Sequence, residues 1–536
     1  MTTTLPPQPG TESRTASSPL TREQIGFLVV AMGGSLLVGL SAQFASSNIA
    51  DLQGGLVSTP DEASWVLTVY AMAGLVGVVT SGLLIKALSV GRYMLVSSIL
   101  FAASALACAI EHDLRVVIWL RVIQGFAAGG FGPAAFFAVF VVAGPGGRRL
   151  PFLIFLLAFL LLVPSALGPT ISGAVEERLG WRALFVIQAG IGTILALGAY
   201  AWVPRKQPEW SALISDWVAV ILLATAVATL ILVLSQGTRR FWFQSDMIAW
   251  STAACIGAVA GFAFLTRYSP MPTIAPRLLL TRKFGVTIGV NLVFRAALAA
   301  PLYLVPQFLA VVQGYRPLEI AKLVLWAAIP QLLALPLVWR LIHIVDPRAV
   351  MALGLALCAV ATALCINVST LVAAEQFRLT LVLFAVGELL FLSPALIVGS
   401  FDLKLPDLPT ASLFFNLATL GGTTMGVGLV SHFVGEREKF HSSFVTEHVS
   451  LYNPFNDYRV ARLVEALPEG SVDESRITGQ VIALIAGAAR REAWALAFAD
   501  AFLVVAMLLL VSAFAVVAIG RSPALRNSLN RRGEEP

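Results

Sequence analysis

The sequence predicts an all-α polytopic membrane protein, and three observations support this prediction. Of the 536 residues, 58% are hydrophobic and only 12% are charged, whereas a soluble domain carries roughly 25% charged residues. The hydrophobic residues form fourteen long runs, and a helix crosses a bilayer with about 20 mostly apolar residues. The lysines and arginines fall in short clusters between these runs. We therefore expect fourteen transmembrane helices.

The predicted spans follow one another along most of the chain. They cover residues 25–46, 65–85, 93–111, 116–143, 150–174, 182–203, 213–235, 247–266, 284–312, 319–343, 349–370, 379–400, 409–434 and 494–520. An even number of spans places both termini on one side of the bilayer. The short loops on the other side hold few basic residues, namely Arg115, Arg178, Arg182, Arg239, Arg240, Arg316 and Arg378. Because basic loops stay in the cytoplasm, both termini are predicted to be cytoplasmic.

Several other classes of protein are disfavoured. The net charge is +6, but the basic residues do not form the single stripe that a nucleic-acid-binding protein needs. The sequence lacks the G-x-x-x-x-G-K-[ST] loop of ATP-driven pumps. Its five histidines and four cysteines show no metal-site spacing. We expect neither an enzyme nor a metal or cofactor site, and an ion gradient is the remaining energy source.

Three segments lie outside the predicted spans. Residues 1–24, rich in Pro, Ser and Thr, are predicted to be a disordered cytoplasmic tail, and 521–536 form a second tail. Residues 435–493 form a long, mostly polar connection on the outer side, in which Ile477 to Arg491 has helical periodicity. This outer loop is either a tolerated insertion or a docking surface for a partner.

The fifth run contains an unusual stretch, LVPSALGPTISG, at residues 162–173. Pro164 and Pro169 each remove a backbone hydrogen-bond donor, which lipid cannot replace, so this helix must be covered by other helices or by a water-lined cavity. Gly168, Ser172 and Gly173 allow another helix to approach closely. We predict a tight, bent helix contact here, which also suits an ordinary packing motif.

This stretch and its continuation to residue 188 resemble the antiporter signature G-x-x-x-G-P-x-x-G-G of major facilitator exporters. Other stretches also resemble this family, and in particular the fourteen-helix drug:proton antiporter branch that includes EmrB-like exporters. They are RVIQGFAAGG at 121–130, DEASWVLTVYAMAG at 61–74, SFDLKLP at 400–406, NLATLGG at 416–422, and the outer loop with NPFN at 453–456.

The resemblance implies a bacterial inner-membrane secondary transporter that works by alternating access. It implies an N-terminal six-helix bundle at 25–203, inserted helices 7 and 8 with their flanking loops at 204–283, and a C-terminal six-helix bundle at 284–520. The kinked fifth helix, with Pro164, Gly168, Pro169 and Gly173, would line the interface between the bundles and limit leakage. A periplasmic adaptor (membrane fusion) protein and an outer-membrane channel would be partners, with the adaptor docked on the outer loop.

Two departures from the family pattern affect the mechanism. The branch has L-D-x-T-I-x-N-V-A-x-P in its first helix, where the acid is proposed to carry the coupling proton. Counting back without gaps from Trp65 places Ser41 at the acidic position, and a serine does not titrate near neutral pH. In the loop after the second helix, Lys86 replaces an acid and Ser89 a glycine. Gating by an acid in that loop is therefore in question.

If proton coupling survives, another ionisable group within the membrane must carry it. The candidates are Arg121, Arg295, Glu388 and Asp500. Glu388 falls near the middle of its predicted helix, where burial favours the protonated carboxyl, and it is our first choice. The alternative is that Glu388 and Arg295 form a buried pair that only fixes packing. Asp500 lies within two turns of the predicted helix end, where it could simply reach water.

The predicted function is export of small amphiphilic or aromatic compounds in exchange for protons. Polar or aromatic residues on helices expected to face the cavity are candidates for substrate contact: Gln43, Phe44, Gln124, Asn291, Gln307 and Asn416. The alternative is an uncoupled facilitator or a narrow exporter of one metabolite. A receptor or assembly factor is a third, weaker alternative, since nothing resembles a signalling domain.

Overall fold

The computed structural model describes residues 20–143, 149–205, 207–210, 217–269, 274–400, 403–404, 407–448, 458, 462 and 474–519. These residues form fourteen long helices. They are α1 (Arg22–Ser47), α2 (Pro60–Leu88), α3 (Val90–Ile110), α4 (Leu114–Ala143), α5 (Leu150–Leu179), α6 (Trp181–Trp202), α7 (Trp217–Gln236), α8 (Asp246–Tyr268), α9 (Arg282–Val311), α10 (Pro317–Ile344), α11 (Pro347–Ala363), α12 (Phe377–Ser400), α13 (Leu408–His448) and α14 (Glu474–Ala515).

Helix lengths agree with the predicted number of spans. Thirteen helices in the described part of the chain are long and apolar enough to cross a membrane. The remaining one, α11, has 17 residues, which is at the lower end of the range of about 17 to 25 residues for a spanning helix. The prediction of an all-α membrane fold is confirmed. The predicted tails, 1–24 and 521–536, lie almost entirely outside the described residues.

Local sequence fixes where several helices begin. Thr21 and Thr59 precede α1 and α2, and each accepts a hydrogen bond from the backbone N–H three residues later while Gln24 or Glu62 bonds back. This reciprocal capping box satisfies two backbone donors that would otherwise be unpaired at the helix start. Asp113 caps α4 in a simpler way through its bond to the Arg115 N–H. The starts predicted from hydrophobicity alone fall a few residues late because these capping turns are polar.

Glycines bring helix backbones together within each half of the bundle. In the N-half, α1–α6, a methyl group on Gly129 of α4 would overlap with the Gly74 carbonyl oxygen of α2. In the C-half, α9–α14, a methyl group on Gly354 of α11 would lie 2.7 Å from the Gly387 carbonyl oxygen of α12. Helices in lipid associate mainly through such close packing. Each half is therefore held as a compact bundle.

The inserted helix α7 contacts both halves. Gln236 at its end donates to the Thr68 hydroxyl of α2 at 2.7 Å, and its Leu234 carbonyl lies against Gly428 of α13. After α7, the Trp242 indole N–H donates to His432 Nδ1 of α13 at 3.1 Å. Helix α8 packs mainly on α7 and leaves most of its surface exposed. The chain between the halves thus forms a bridge on the outside of the bundle.

The structure differs from the prediction around the outer loop. The sequence predicts a mostly polar connection at residues 435–493, yet α13 continues as helix to His448 and α14 already begins at Glu474. The predicted periodicity from Ile477 to Arg491 is confirmed as part of α14. A polar sequence can remain helical where it leaves the bilayer, because hydropathy marks the lipid boundary and not the helix end. The NPFN stretch lies outside the described residues.

Candidate functional site

A cavity of about 520 Å³ lies between the N-half and the C-half. We call its side of the bundle the terminal face, because α1 begins there. Its wall is largely apolar, with Phe27, Val78, Leu83, Pro133 and Phe137 from the N-half and Leu408, Pro409 and Leu413 from the C-half. Exposed Glu23, Lys86 and Glu209 lie at its rim. The cavity is therefore a crevice between the halves that water can reach from the terminal face.

Beyond this crevice the two halves are in contact. Gly132 of α4 lies against the Asn416 side-chain oxygen of α13. The Phe136 and Phe415 rings stack with their centroids 5.6 Å apart. Nearer the opposite face, the Thr170 hydroxyl of α5 donates to the Ala321 carbonyl of α10 at 3.0 Å. The halves are thus separated at the terminal face and joined at greater depth.

The antiporter-like stretch lies at this junction. Helix α5 is continuous through Pro164 and Pro169. A methyl group on Gly39 of α1 would lie 2.5 Å from Pro164 Cγ, and one on Gly168 would lie 2.7 Å from Gln43 Cβ. Gly173 is buried beside Ser172, whose hydroxyl accepts a hydrogen bond from the Asn48 amide. The fifth helix therefore packs tightly on α1 and also contacts the C-half.

Glu388 is buried where α5 meets the C-half. Its Oε2 accepts a hydrogen bond from Gln331 Nε2 of α10 at 3.0 Å, while Oε1 has no hydrogen-bond partner in the described part of the chain. Next to it is a cavity of about 20 Å³, whose wall includes Ser165 and Ala166 of α5. Such a volume holds one water molecule. The carboxylate therefore lies at a water-sized space that both halves enclose.

Arg295 and Asn291 lie one turn apart on α9 and carry further unpaired polar atoms. Within the part of the chain that the structure describes, Arg295 Nε and Nη2 and both polar atoms of Asn291 have no hydrogen-bond partner, although both side chains are buried. Arg295 is close enough to Glu388 for their charges to interact, but the described ion pairs do not join the two. The alternative that Glu388 and Arg295 form a buried pair that only fixes packing stays a prediction.

Arg121 forms a separate polar cluster inside the N-half. Its Nη1 donates to Gln124 Oε1 at 2.7 Å and to the Ser41 hydroxyl at 3.4 Å. Gln124 in turn donates to Gln188 Oε1 of α6 at 3.1 Å. The guanidinium carbon lies 3.9 Å from the centroid of the Tyr70 ring, a cation–π arrangement. A fully buried positive charge is thus surrounded by neutral groups.

Asp500 occupies a different environment. Its Oδ2 accepts from Arg437 Nε at 2.6 Å and lies 2.7 Å from His441 Nε2. All three residues belong to the contact between α13 and α14, and the Asp500 side chain keeps 31% of its exposure. Because the carboxylate is already held by two side chains of the neighbouring helix, this cluster is better suited to joining the two helices than to carrying a proton.

We expect Asp500→Asn to keep gradient-driven transport in membrane vesicles and to lower stability. The loss of the charged hydrogen bonds at a partly exposed site costs about 1 kcal/mol, which a thermal unfolding curve would detect. His441→Gln is the matched control, since it removes the contact between His441 and Asp500 from the side of α13 and leaves the carboxylate in place. Loss of gradient-driven transport in Asp500→Asn with normal folding would instead return Asp500 to the coupling candidates.

The six residues predicted to contact substrate do not line the 520 Å³ crevice. Gln43 and Phe44 pack on α5, Gln124 and Asn291 are buried, and Asn416 lies at the contact between halves. Gln307 is exposed. Their role in binding stays a prediction.

Sequence reasoning missed Gln331, Ser165 and Gln188. Each is an ordinary polar residue in its own helix and becomes notable only through a contact between helices. The one available sign was that Gln331 and Gln188 are amides inside apolar runs, which are costly in lipid without a partner.

The fold and the crevice define a polytopic membrane protein with two six-helix bundles around a central interface. Comparison with known proteins agrees with this class. Residues 30–216 match the model of the Major Facilitator Superfamily. The solved structure of the proton:xylose symporter XylE, of the major facilitator superfamily, superimposes with a TM-score of 0.54 at 13% identity, covering 87% of this chain and 94% of that chain.

Among curated proteins, the chain is 23% identical over 491 residues to the colistin resistance protein EmrB of Acinetobacter baumannii, covering 91% of this chain and 94% of the relative. It is 24% identical over 443 residues to the multidrug export protein EmrB of Escherichia coli, covering 81% and 85%. It is 23% identical over 368 residues to the multidrug resistance protein Stp of Mycobacterium tuberculosis, covering 69% and 67%. The predicted resemblance to the major facilitator superfamily and its EmrB-like branch is confirmed.

Proposed function

We propose that this protein is a secondary active exporter of small amphiphilic or aromatic compounds, driven by protons that move in the opposite direction. The termini and the terminal face are cytoplasmic, and the membrane is the bacterial inner membrane. Cargo enters the crevice from the cytoplasm or the inner leaflet. The halves then rock about their interface and release it on the other side.

The observation that carries this proposal is the crevice between the halves. A volume of about 520 Å³ is within the range of about 300 to 1,000 Å³ that binds drug-sized molecules. Its wall is apolar and aromatic, with ionic groups only at the rim, which suits a cargo with an apolar body. The names of the EmrB and Stp relatives, which refer to multidrug export or resistance, support the same class of cargo.

Glu388 is the proposed proton carrier. It lies beside a water-sized space closed on one side by Ser165 and Ala166 of α5. Separation of the halves at this point would give the carboxyl access to water, and their closure would remove it. Since burial favours the neutral form, closing of the interface and protonation of Glu388 would favour each other.

Transport into inverted vesicles with an imposed proton gradient tests this function. An aromatic amphiphile is expected to accumulate inside the vesicles while the gradient lasts, and a protonophore is expected to abolish the accumulation. Movement of the amphiphile only to equal concentrations, whether or not a gradient is present, would contradict proton coupling.

An uncoupled facilitator or a narrow metabolite exporter is the second candidate, and Ser41 favours it. This residue contacts Arg121 but carries no titratable group. If Glu388 only fixes packing, the transporter loses its best-placed proton carrier within the membrane. Equilibration without accumulation in the vesicle experiment is the result expected for this candidate.

We further propose that the helices beyond the bilayer dock a periplasmic adaptor that leads to an outer-membrane channel. The part of α13 after residue 435 and the start of α14 project from the opposite face, and Phe440, Phe444 and Leu484 on them are exposed. Exposed apolar side chains on a polar surface are typical of a partner site.

Replacing Phe440, Phe444 and Leu484 with serine tests the docking proposal. We expect unchanged transport by the purified protein in vesicles but a loss of drug resistance in cells, because only the assembled pathway crosses both membranes. Replacing Val57 and Leu371, two other exposed apolar residues, with serine is the control and should leave both properties unchanged. Full resistance with all three helix residues replaced would contradict docking on this surface.

A further inference from the structure

We propose that Arg121 is the binding site for a singly charged anion in the N-half, and this inference rests on the proposed transport function. Two sources share the required chemistry. One is a carboxylate carried by an aromatic cargo, and the other is a small inorganic ion such as chloride.

The first argument is that one N–H group of the guanidinium lacks a hydrogen-bond acceptor. Arg121 Nε donates to the Val66 carbonyl at 3.4 Å, and Nη1 donates to Gln124 and Ser41. Nη2 has no hydrogen-bond partner among the described residues, although the side chain is fully buried. A buried N–H of a charged group without an acceptor costs more than a neutral one. An anion at Nη2 would supply the missing acceptor.

The second argument is the balance of charge. The groups that contact Arg121 are Ser41, Val66, Gln124 and the rings of Tyr70 and Phe185, and none of them carries a negative charge. Burying an isolated cation is strongly unfavourable unless a counter-charge accompanies it. The C-half differs, because Arg295 lies near Glu388. Among the buried charged residues that the structure describes, Arg121, Arg295 and Glu388, the charge without an opposite partner is thus that of Arg121.

The third argument is the character of the surrounding shell. Tyr70 lies 3.9 Å from the guanidinium carbon and Phe185 lies 5.8 Å away. Gln124 and Gln188 form a chain of amides on the other side. Aromatic rings beside a cation suit an anion attached to an aromatic body, with the anion paired to the guanidinium.

A substitution at Ser41 can place a carboxylate of the protein itself in the proposed anion site. Its hydroxyl lies 3.4 Å from Arg121 Nη1, so a carboxylate at this position would come within ion-pair distance. Ser41→Asp would supply an internal counter-charge and compete with any external anion. Ser41→Asn has nearly the same size without the charge and is the matched control.

The test is thermal unfolding of the purified full-length protein with added benzoate, benzamide or chloride, at constant ionic strength in sodium sulfate, whose anion is doubly charged. Benzoate is expected to raise the unfolding midpoint of the wild type and of Ser41→Asn, whereas neutral benzamide is not. In Ser41→Asp and Arg121→Gln, the apparent dissociation constant for benzoate is expected to rise at least about tenfold, as for the loss of a charged hydrogen bond.

The comparison of anions identifies the source. Stabilisation by benzoate that persists in saturating chloride supports an organic cargo, and stabilisation by chloride that benzoate does not increase supports an inorganic ion. Equal stabilisation by benzoate and benzamide, or an unchanged benzoate response in a folded Ser41→Asp variant, would overturn the anion site. Gradient-driven export of a neutral amphiphile without any anion response would overturn this inference and leave the proposed function standing. Anion binding without any transport would support the anion site and overturn the proposed function.

Discussion

Glu388→Gln is expected to abolish gradient-driven accumulation of substrate while keeping counterflow exchange. Glutamine resembles the protonated acid in size and charge, so the two halves can still rock and exchange substrate across the membrane. It cannot release a proton. The accumulation ratio should fall to about one, the value for an uncoupled carrier. Inverted vesicles loaded with labelled substrate measure both quantities.

The control for this experiment is Glu375→Gln, which makes the same chemical change just before α12. Glu375 is exposed and forms a surface ion pair with Arg378, so the variant should accumulate substrate like the wild type. A Glu388→Gln protein that still concentrates substrate would show that another group carries the proton. Loss of counterflow as well would indicate that Glu388 is needed for folding or for movement of the halves.

Gly129→Ala is expected to destabilise the folded N-half severely. A methyl group on Gly129 would overlap with the Gly74 carbonyl and would lie 2.7 Å from the Val78 backbone nitrogen of α2. These are backbone atoms and cannot rotate away, so α2 and α4 would have to separate. Overpacking of this kind costs about 3 kcal/mol. Thermal unfolding in detergent would show it as a lower midpoint and reduced yield.

Gly82→Ala on α2 is the matched control. A methyl group at Gly82 would meet no described atom within 4 Å, and alanine favours the helix over glycine. Its midpoint should be equal to that of the wild type or slightly higher. An equal effect of both substitutions would mean that close contact between α2 and α4 does not hold this half together.

The sequence predicted the helices well because lipid imposes a simple rule. Every spanning segment must satisfy the hydrogen bonds of its own backbone and present apolar side chains to the lipid. Hydropathy alone therefore located all fourteen helices. The same rule failed at the ends of α13 and α14, where the helices continue outside the bilayer. Ser89 has a φ of 70°, in the left-handed region that favours glycine, at the position where the family pattern has glycine.

The candidate site was only partly predictable. Glu388 and Arg121 stood out because charge is rare in lipid. Their partners could not be foreseen. Gln331 lies 57 residues from Glu388, and Ser41 lies 80 residues from Arg121, so these contacts depend on the packing of whole helices. The crevice residues near Glu23 and Leu408 were missed for the same reason, because the space between two halves has no counterpart within one helix.

The central claim is that the N-half and the C-half rock about their shared interface. Spin labels at Lys86 and Lys404 on the terminal face, and at Leu179 and Arg316 on the opposite face, would report the two distances by pulsed electron resonance. Added substrate and an imposed proton gradient are expected to shorten the first distance and lengthen the second within the same preparation. Both distances staying fixed, or both changing in the same direction, would contradict the claim.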